Sequence, residues 1–462
     1  MTHDTHAQVP ASPLVPALAI PYELTSKIFL LCLPRYGRVR PTGETAPLLL
    51  AQICSHWRAV ALSIPQLWTS IFLHFDRRVQ YDGISSLFGV DSYPLPNTTV
   101  ALVDLWFTRA AGFPLSITVT SLDSSLVLPH GLITAILAKS SQWGRLELLI
   151  SKHDFQAFSH VAGPFPMLQS IAMEVVDYTS PLPWNRDLYL GAPNLHALRL
   201  GRALWREFPG QSDILSSSAT AVEFWPEGSV TAEFFRPLNR FPNLRHLKID
   251  TFFFRSTLTL IPAPRLETLI VSYRTWLLDH LQIPTLRHLD VSIHSEDHRW
   301  IISFVTRSAC VLTDLRLRVT SASSRLSDCL AAVPTVINLA LSCSEEQYAL
   351  LHSAELLPRL QTLHLTSPAS AAVYPAFLAL LQARPSVRSA ELRVISTATD
   401  NLPSPRDDVL AGVAALREDG MVIKLSHTYH RDRHEYEDAE EYDIFDPQNR
   451  LPHVFAPFEP RF

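Results

Sequence analysis

Glycine is scarce in this sequence, with 14 in 462 residues. None of them falls in a Gly-x-x-x-x-Gly-Lys-Ser/Thr or Gly-x-Gly-x-x-Gly pattern, so the common backbone cradles for phosphate are missing. Gly-x-Ser-x-Gly and His-Glu-x-x-His are absent as well, which removes the nucleophile elbow and the helical zinc site. The five cysteines, Cys32, Cys54, Cys310, Cys329 and Cys343, are odd in number and form no Cys-x-x-Cys pair. They lie on apolar segments, and reduced thiols of a cytoplasmic or nuclear protein are expected rather than a disulfide framework. Long apolar runs are lacking too. Ile28 to Leu33 and Leu48 to Ala51 are the densest, far short of the roughly 20 residues that span a bilayer. Met1 to Ser12 has neither the basic start nor the sustained apolar core of a signal peptide, so Asn97-Thr98-Thr99 reads as a chance sequon. No sign of charge dominates: the net charge is −5 without a long basic run, and neither nucleic acid nor a membrane is an expected partner.

What the chain does have begins at Ile20. Leu24, Ile28 and Leu31 recur at i, i+4 and i+7, and Leu50, Cys54, Trp57 and Ala61 at i, i+4, i+7 and i+11, each set forming one stripe along a helix. Pro47 suits a first helical turn, Ile64-Pro65 ends the second helix, and a third turn starts near Pro65. About fifty residues cannot bury two tryptophans, Phe29 and a dozen aliphatic side chains among themselves, so part of this surface needs a partner. The wording of the segment resembles the F-box. Pro21 to Leu24 supply the Pro-x-Glu-Leu opening, Ile28-Phe29 the pair one turn later, Ile53 to Arg58 the Ile-Cys-x-x-Trp-Arg phrase and Leu67 to Ile71 the Leu-Trp-x-x-Ile phrase. Ile20 stands where leucine is usual, and an insertion rich in Arg, Gly and Pro, Pro34 to Pro47, lengthens the first loop.

Asp82-Gly83 and Tyr93-Pro94-Leu95-Pro96 mark a junction, and Thr98 to Ala111 reads as a helix stopped by Gly112. From about Leu115 short strand-like runs share the phrase Pro-x-Leu-x-x-Leu-x-Leu, as in Pro193 to Leu200, Pro242 to Ile249 and Pro284 to Val291. First anchors fall at Leu146, Leu168, Leu195, Val222, Leu244, Leu266, Leu286, Leu312, Val336, Leu360 and Val387. A period of this kind resembles leucine-rich repeats, in which one unit cannot bury its own apolar face and stacked units close a common core. The asparagine or cysteine usual after the last leucine is mostly absent; Asp250, Ser272 and Ser292 stand near its place. Asp407 to Leu416 and Met421 to Leu425 read as a helix and a strand forming a terminal cap.

The expected fold class is therefore α/β: an N-terminal three-helix F-box followed by an open leucine-rich-repeat-like solenoid with a parallel sheet on its concave face. The expected organisation is a disordered lead over 1–19, the F-box over 20–72, a linker and bridging helix over 73–114, the solenoid over 115–425 and a charged tail over 426–462. Strand alternation with Leu247 and Ile249 inward turns His246, Lys248 and Asp250 to the concave face, and with them Ala197, Arg199, His288, Asp290, Asp314, Arg316, Arg318, His364 and Glu391. Arg199, Lys248, Asp250, His288, Asp290, Arg316 and Arg318 are the candidate substrate contacts. His427, His430 and His434 with Asp432 and Glu435 could offer zinc ligands, but the segment lacks an apolar shell, so no metal and no cofactor is expected. The acidic run Glu435 to Asp443 reads as solvated, and Phe252 to Arg255 as packing beneath a loop.

The resemblance as a whole is to F-box proteins with leucine-rich repeats, of the kind abundant in mushroom-forming fungi. It implies docking on Skp1, and through it on a cullin-RING ubiquitin ligase, with the repeats capturing a protein substrate. Carried over residue by residue, Pro21, Leu24, Ile28, Ile53, Cys54, Trp57 and Trp68 would meet Skp1. Such a protein works by proximity and has no catalytic residues of its own. Two rivals remain: a Skp1-binding or free interaction scaffold without a ligase role, and an enzyme on an eight-stranded barrel, for which the repeat phrases are too many.

Overall fold

The computed structural model describes residues 20–34, 39–75, 96–121, 127–158, 160–176, 191–201, 204, 219–224, 241–249, 261–262, 265–272, 275–293, 298–319, 325–397, 404–430 and 441–443. The chain is α/β and divides into two units, Met1–Ala219 and Thr220–Phe462. The lead over 1–19, Asp250 and the cluster Phe252 to Arg255 lie outside the described residues.

The first unit opens with α1 (Tyr22–Leu31), α2 (Leu48–Ile53) and α3 (Ser55–Ser63), then a 3-10 turn over Pro65–Trp68. The apolar stripe from Leu50 to Ala61 is not one helix. Cys54 is extended, at φ −158° and ψ 169°, and its Sγ accepts the backbone N–H of Trp57 at 3.4 Å, so it ends α2 and caps α3. Five parallel strands follow in register: β1 (Ser70–Phe75), β2 (Leu115–Ser121), β3 (Trp143–Ile150), β4 (Ser170–Val175) and β5 (Ala197–Leu200). Their crossovers carry α4 (Pro96–Arg109), α5 (His130–Leu137) and α6 (Lys152–Phe158), as parallel pairing requires. Gly112, at φ +85°, ends the chain's turn out of α4, a backbone conformation that side chains disfavour.

The sheet begins earlier than the repeat phrase does. β1 lacks that phrase, yet it pairs with β2 from Ser70↔Ser116 to Phe75↔Ser121, inside the stretches read as F-box and linker. Its outer edge is partly covered by the inserted loop, where Val39 is buried, its carbonyl accepts the Phe72 N–H at 2.8 Å, and the Arg40 guanidinium lies over the Phe72 ring. The insertion thus closes backbone groups that an edge strand would leave open.

The second unit is built on nine parallel strands, β6 (Ala221–Phe224), β7 (His246–Ile249), β8 (Thr268–Val271), β9 (His288–Ile293), β10 (Asp314–Val319), β11 (Asn338–Ser342), β12 (Thr362–Pro368), β13 (Ser389–Thr397) and β14 (Val422–His430), paired in that order. A short β15 (Glu441–Asp443) pairs antiparallel with β14. The tail read as mostly loop therefore contributes strand up to His430 and again over 441–443. Helices α7 (His298–Ser308), α8 (Leu326–Ala331), α9 (Val373–Ala383) and α10 (Asp407–Glu418) occupy the later crossovers. In neither unit do the described pairings join the first strand to the last, so neither sheet closes into a barrel.

Register explains the core. Leu247, Leu269, Leu289, Leu315, Leu339, Leu363, Ala390 and Ile423 form one transverse row across β7 to β14, and the row beginning at Ile249 and Val271 lies beside it; both are buried. Each fully buried leucine contributes about 1.5 to 3 kcal/mol over its exposed state. The same register corrects two anchors. Leu146 is level with Ile171, and Val222 with Leu247, so buried Trp143 and Ala219 take the place given to Leu146 and Val222. The variable residue of Pro-x-Leu and its proline's neighbours also link successive repeats. Asn194 donates to the Pro166 carbonyl, Arg265 to that of Pro242, Thr285 to that of Leu266 and Thr335 to that of Leu312, each tying a strand's entry turn to the one before.

Candidate functional site

Two surfaces have the makings of a binding site, and they differ in kind. On the helical segment, Thr25 and Phe29 are the buried residues of α1, with Phe29 and Trp57 rings 5.0 Å apart. That packing turns the stripe of Leu24, Ile28 and Leu31 outward. Leu24 is 51 % exposed, and Ile53 at the end of α2 is 54 % exposed. Leu49 and Leu62 are exposed as well, whereas Trp57 and Cys54 are half-buried and Pro21 is exposed. Burying such a set is favourable by roughly 25 cal/mol per Å² of apolar surface, a gain the isolated chain forgoes.

Trp68, expected to meet the adaptor, is instead 0 % exposed. Its indole N–H donates to the Ala61 carbonyl at 3.0 Å, Trp106 packs edge-on at 4.9 Å, and the Arg109 guanidinium lies 4.3 Å over its ring. Burial lowers the pKa of that guanidinium. Trp143 repeats the arrangement, donating to the carbonyl of Ile136, also seven residues back. Ile71 is level with Ile117 and Leu146, so Trp68 stands three residues before the row, as Trp143 does. It is the first anchor of the sheet. The sequence Leu-Trp-x-x-Ile fits both roles, and the resemblance to the F-box pattern is what assigned it to the surface.

The second surface is the sheet face opposite the leucine rows. Its central row in the second unit runs Glu223, Lys248, Ile270, Asp290, Arg316, Ala340, His364, Glu391 and Lys424, one residue from each of β6 to β14. These charges are paired with one another rather than bare. Lys248 Nζ lies 2.8 Å from Glu223, and both are buried; Arg318 and Arg316 reach Asp290 at 2.9 and 3.9 Å; His364 and Lys424 reach Glu391 at 2.9 and 3.4 Å. His288, more exposed, meets Asp314 at 3.0 Å. In the first unit Arg199 is bonded to Glu147 at 3.3 Å, two strands away. Of the expected substrate contacts, then, His288 is the most exposed, Arg199, Asp290, Arg316 and Arg318 are presented in ion pairs, and Lys248 is buried. Glu147, Glu223, Arg393 and Lys424 belong to this face and were missed; they become visible only once the strands are set in register.

Electrostatics follow the pairing. Burial works to raise the Glu391 carboxyl, but the hydrogen bond with His364 and the charges of Lys424 and Arg393 outweigh it and hold the group down at about 2. Burial raises Asp290 against the opposing pull of Arg318 and Arg316. The hydrogen bond to Asp314 raises His288. Of the histidines that could have offered zinc ligands, His427 is the one whose side chain is described: it is hydrogen-bonded to the Tyr374 hydroxyl on the helix side of β14, where burial lowers its pKa. His434 lies outside the described residues. Burial pushes the thiols of Cys329 and Cys343 up to about 12, which suits packing and not nucleophilic attack. Among the described residues no helix is long and apolar enough to cross a membrane. Comparison with family models and with curated proteins finds no match for this chain.

Proposed function

We propose that the chain is the substrate-recognition adaptor of a ubiquitin ligase: an F-box over the N-terminal helices docks on Skp1, and a leucine-rich-repeat-like solenoid captures a protein substrate. The observation that carries the reading is the outward stripe of Leu24, Ile28 and Leu31 together with Ile53, in a chain whose other leucine rows are buried. Exposed apolar side chains grouped along one helix stripe in this way mark an interaction surface. The residues proposed to meet Skp1 are Pro21, Leu24, Ile28, Ile53, Cys54 and Trp57, with Leu31 added and Trp68 withdrawn. The chain performs no bond chemistry; bridging through a cullin-RING ligase raises the substrate's effective concentration near the transferring enzyme.

The test is a pull-down of purified Skp1 by the full chain and by a Leu24→Asp, Ile53→Asp variant, with circular dichroism to establish folding. The wild type is expected to retain Skp1 and the folded variant to lose it by about a hundredfold or more, the scale of two hot-spot losses. Equal retention by both would remove the adaptor assignment. Retention of Skp1 without recruitment of a cullin would favour the scaffold reading.

A further inference from the structure

On the sheet face of the second unit, opposite charges are paired but do not stand at the same depth. Each arginine of the described ion pairs there stands further into solvent than its acid. Arg318 is 35 % exposed over Asp290 at 16 %, and Arg393 is 26 % exposed over Glu391 at 16 %. Arg316 follows the same order, as does His288 over Asp314. Lys424, set deeper than Glu391, is the exception. The row beyond the central one runs Ser292, Arg318, Ser342, Thr366, Arg393 and Ser426 across β9 to β14, two guanidinium groups among four hydroxyls with no carboxylate on these parallel strands. The carboxylates thus lie beneath the arginines and hold them in place. Ser292 and Ser426 are buried, so the row presents outward the two guanidinium groups with half-buried Ser342 and Thr366, and Asp443 of β15 stands level with Ser426 at its end.

We propose that this row binds an acidic polypeptide segment of a partner protein, laid across β9 to β14. The proposal rests on the reading of the sheet as the substrate-capturing face and names the chemistry of what is captured. Arg318 and Arg393 lie three strands apart, about 14 Å at the usual strand spacing of about 4.8 Å. An extended chain rises about 3.3 Å per residue, so acidic side chains about four positions apart would meet both. A continuous phosphate backbone is the poorer fit, because Asp290 and Glu391 flank the row and would repel any phosphate between the two arginines. Complementary charge of this sort sets orientation and partner choice, and its strength falls as salt screens it.

The experiment measures fluorescence anisotropy of a labelled peptide bearing glutamates four apart, with the full chain, its Arg318→Gln, Arg393→Gln variant and its Arg318→Lys, Arg393→Lys variant. The wild type is expected to bind, the Gln pair to bind about tenfold more weakly or worse, and the Lys pair to stay close to wild type. Affinity should fall as salt rises from about 0.05 to about 0.5 M. The Lys pair guards against misfolding, since it keeps the charges that hold Asp290 and Glu391. Equal loss in both variants, or tighter binding of an RNA oligonucleotide of the same length, would overturn the proposal. So would binding that appears only after Glu435, Glu437, Asp438 and Glu440 are changed to Gln, because the face would then belong to the chain's own acidic tail. Skp1 capture is read on the same preparations. A protein that captures Skp1 and ignores the peptide overturns this inference alone; one that binds the peptide and not Skp1 supports it and removes the adaptor assignment.

Discussion

The helical segment and the second-unit sheet each turn a conspicuous set of side chains to solvent, and the two sets stand on opposite footings. Leu24, Ile28, Leu31 and Ile53 are close to half in water or more, so they have less packing to lose and can be replaced with little disturbance of what lies beneath. Lys248 is already engaged with Glu223, Arg316 and Arg318 with Asp290, and His364 with Glu391, so replacing one disturbs its partner. Outward position therefore does not by itself mean availability. A surface kept apolar waits for a partner, while a surface of paired charge is part of the fold and offers only its outermost groups.

The sharpest test of that contrast is between two tryptophans of the first unit. Trp68→Ala, which removes a fully buried side chain and an indole hydrogen bond, should cost about 3 to 5 kcal/mol in urea unfolding. Trp57→Ala, at a half-buried position, should cost clearly less; equal costs would dissolve the distinction. Next, Lys248→Met should destabilise by about 3 kcal/mol, because buried Glu223 would lose the ammonium 2.8 Å from it. A cost below about 1 kcal/mol would mean that the pair is solvated after all.

Acid should act on the sheet through Glu391. Its folded pKa, about 2, is below the ordinary value of 4.5, so its contribution is complete above pH about 4.5 and is lost as the pH falls toward 2. His427 adds to the same trend: burial lowers its folded pKa, so its contribution is present above the ordinary value of 6.5 and shrinks below it. Urea midpoints should accordingly fall on acidification, and Glu391→Gln should flatten the lower part of that curve. A midpoint that rises between pH about 5 and about 3 would contradict the assignment.

The lesser effects come last. Thr335→Val should cost about 1 kcal/mol by leaving the Leu312 carbonyl without its hydroxyl donor. Leu24→Asp should change stability by no more than about 0.5 kcal/mol while abolishing adaptor capture, since its side chain is half in water already.

Much of this fold was legible because its signals are local. The phrase ending in Leu247 and Ile249 announced both the strand and its inward face, Asp407 to Leu416 announced α10, and Gly112 announced the end of α4. What was hidden depends on register between distant strands. The bond between Arg199 and Glu147 joins residues 52 apart, and nothing in either neighbourhood signals the other. β1 escaped because its apolar pattern was already spoken for by the F-box wording, and Trp143 because an indole stood where the phrase has leucine. The helical stripe was legible as a stripe, and the F-box resemblance turned Leu24 and Ile28 toward a partner; the packing of Phe29 on Trp57 is what holds that stripe outward.

The double duty of Trp68 bears on how such a chain can be cut and rejoined. A graft of the N-terminal helices onto another repeat array, made just before Trp68, would leave the Ala61 carbonyl without its donor, because the indole would stay behind with Trp106 and Arg109. Val39 imposes the same constraint from the other side, since its carbonyl is spent on β1. The smallest transplantable piece is the helices together with the first strand and α4. Recombination at the visible edge of the motif would inherit a motif and lose its footing.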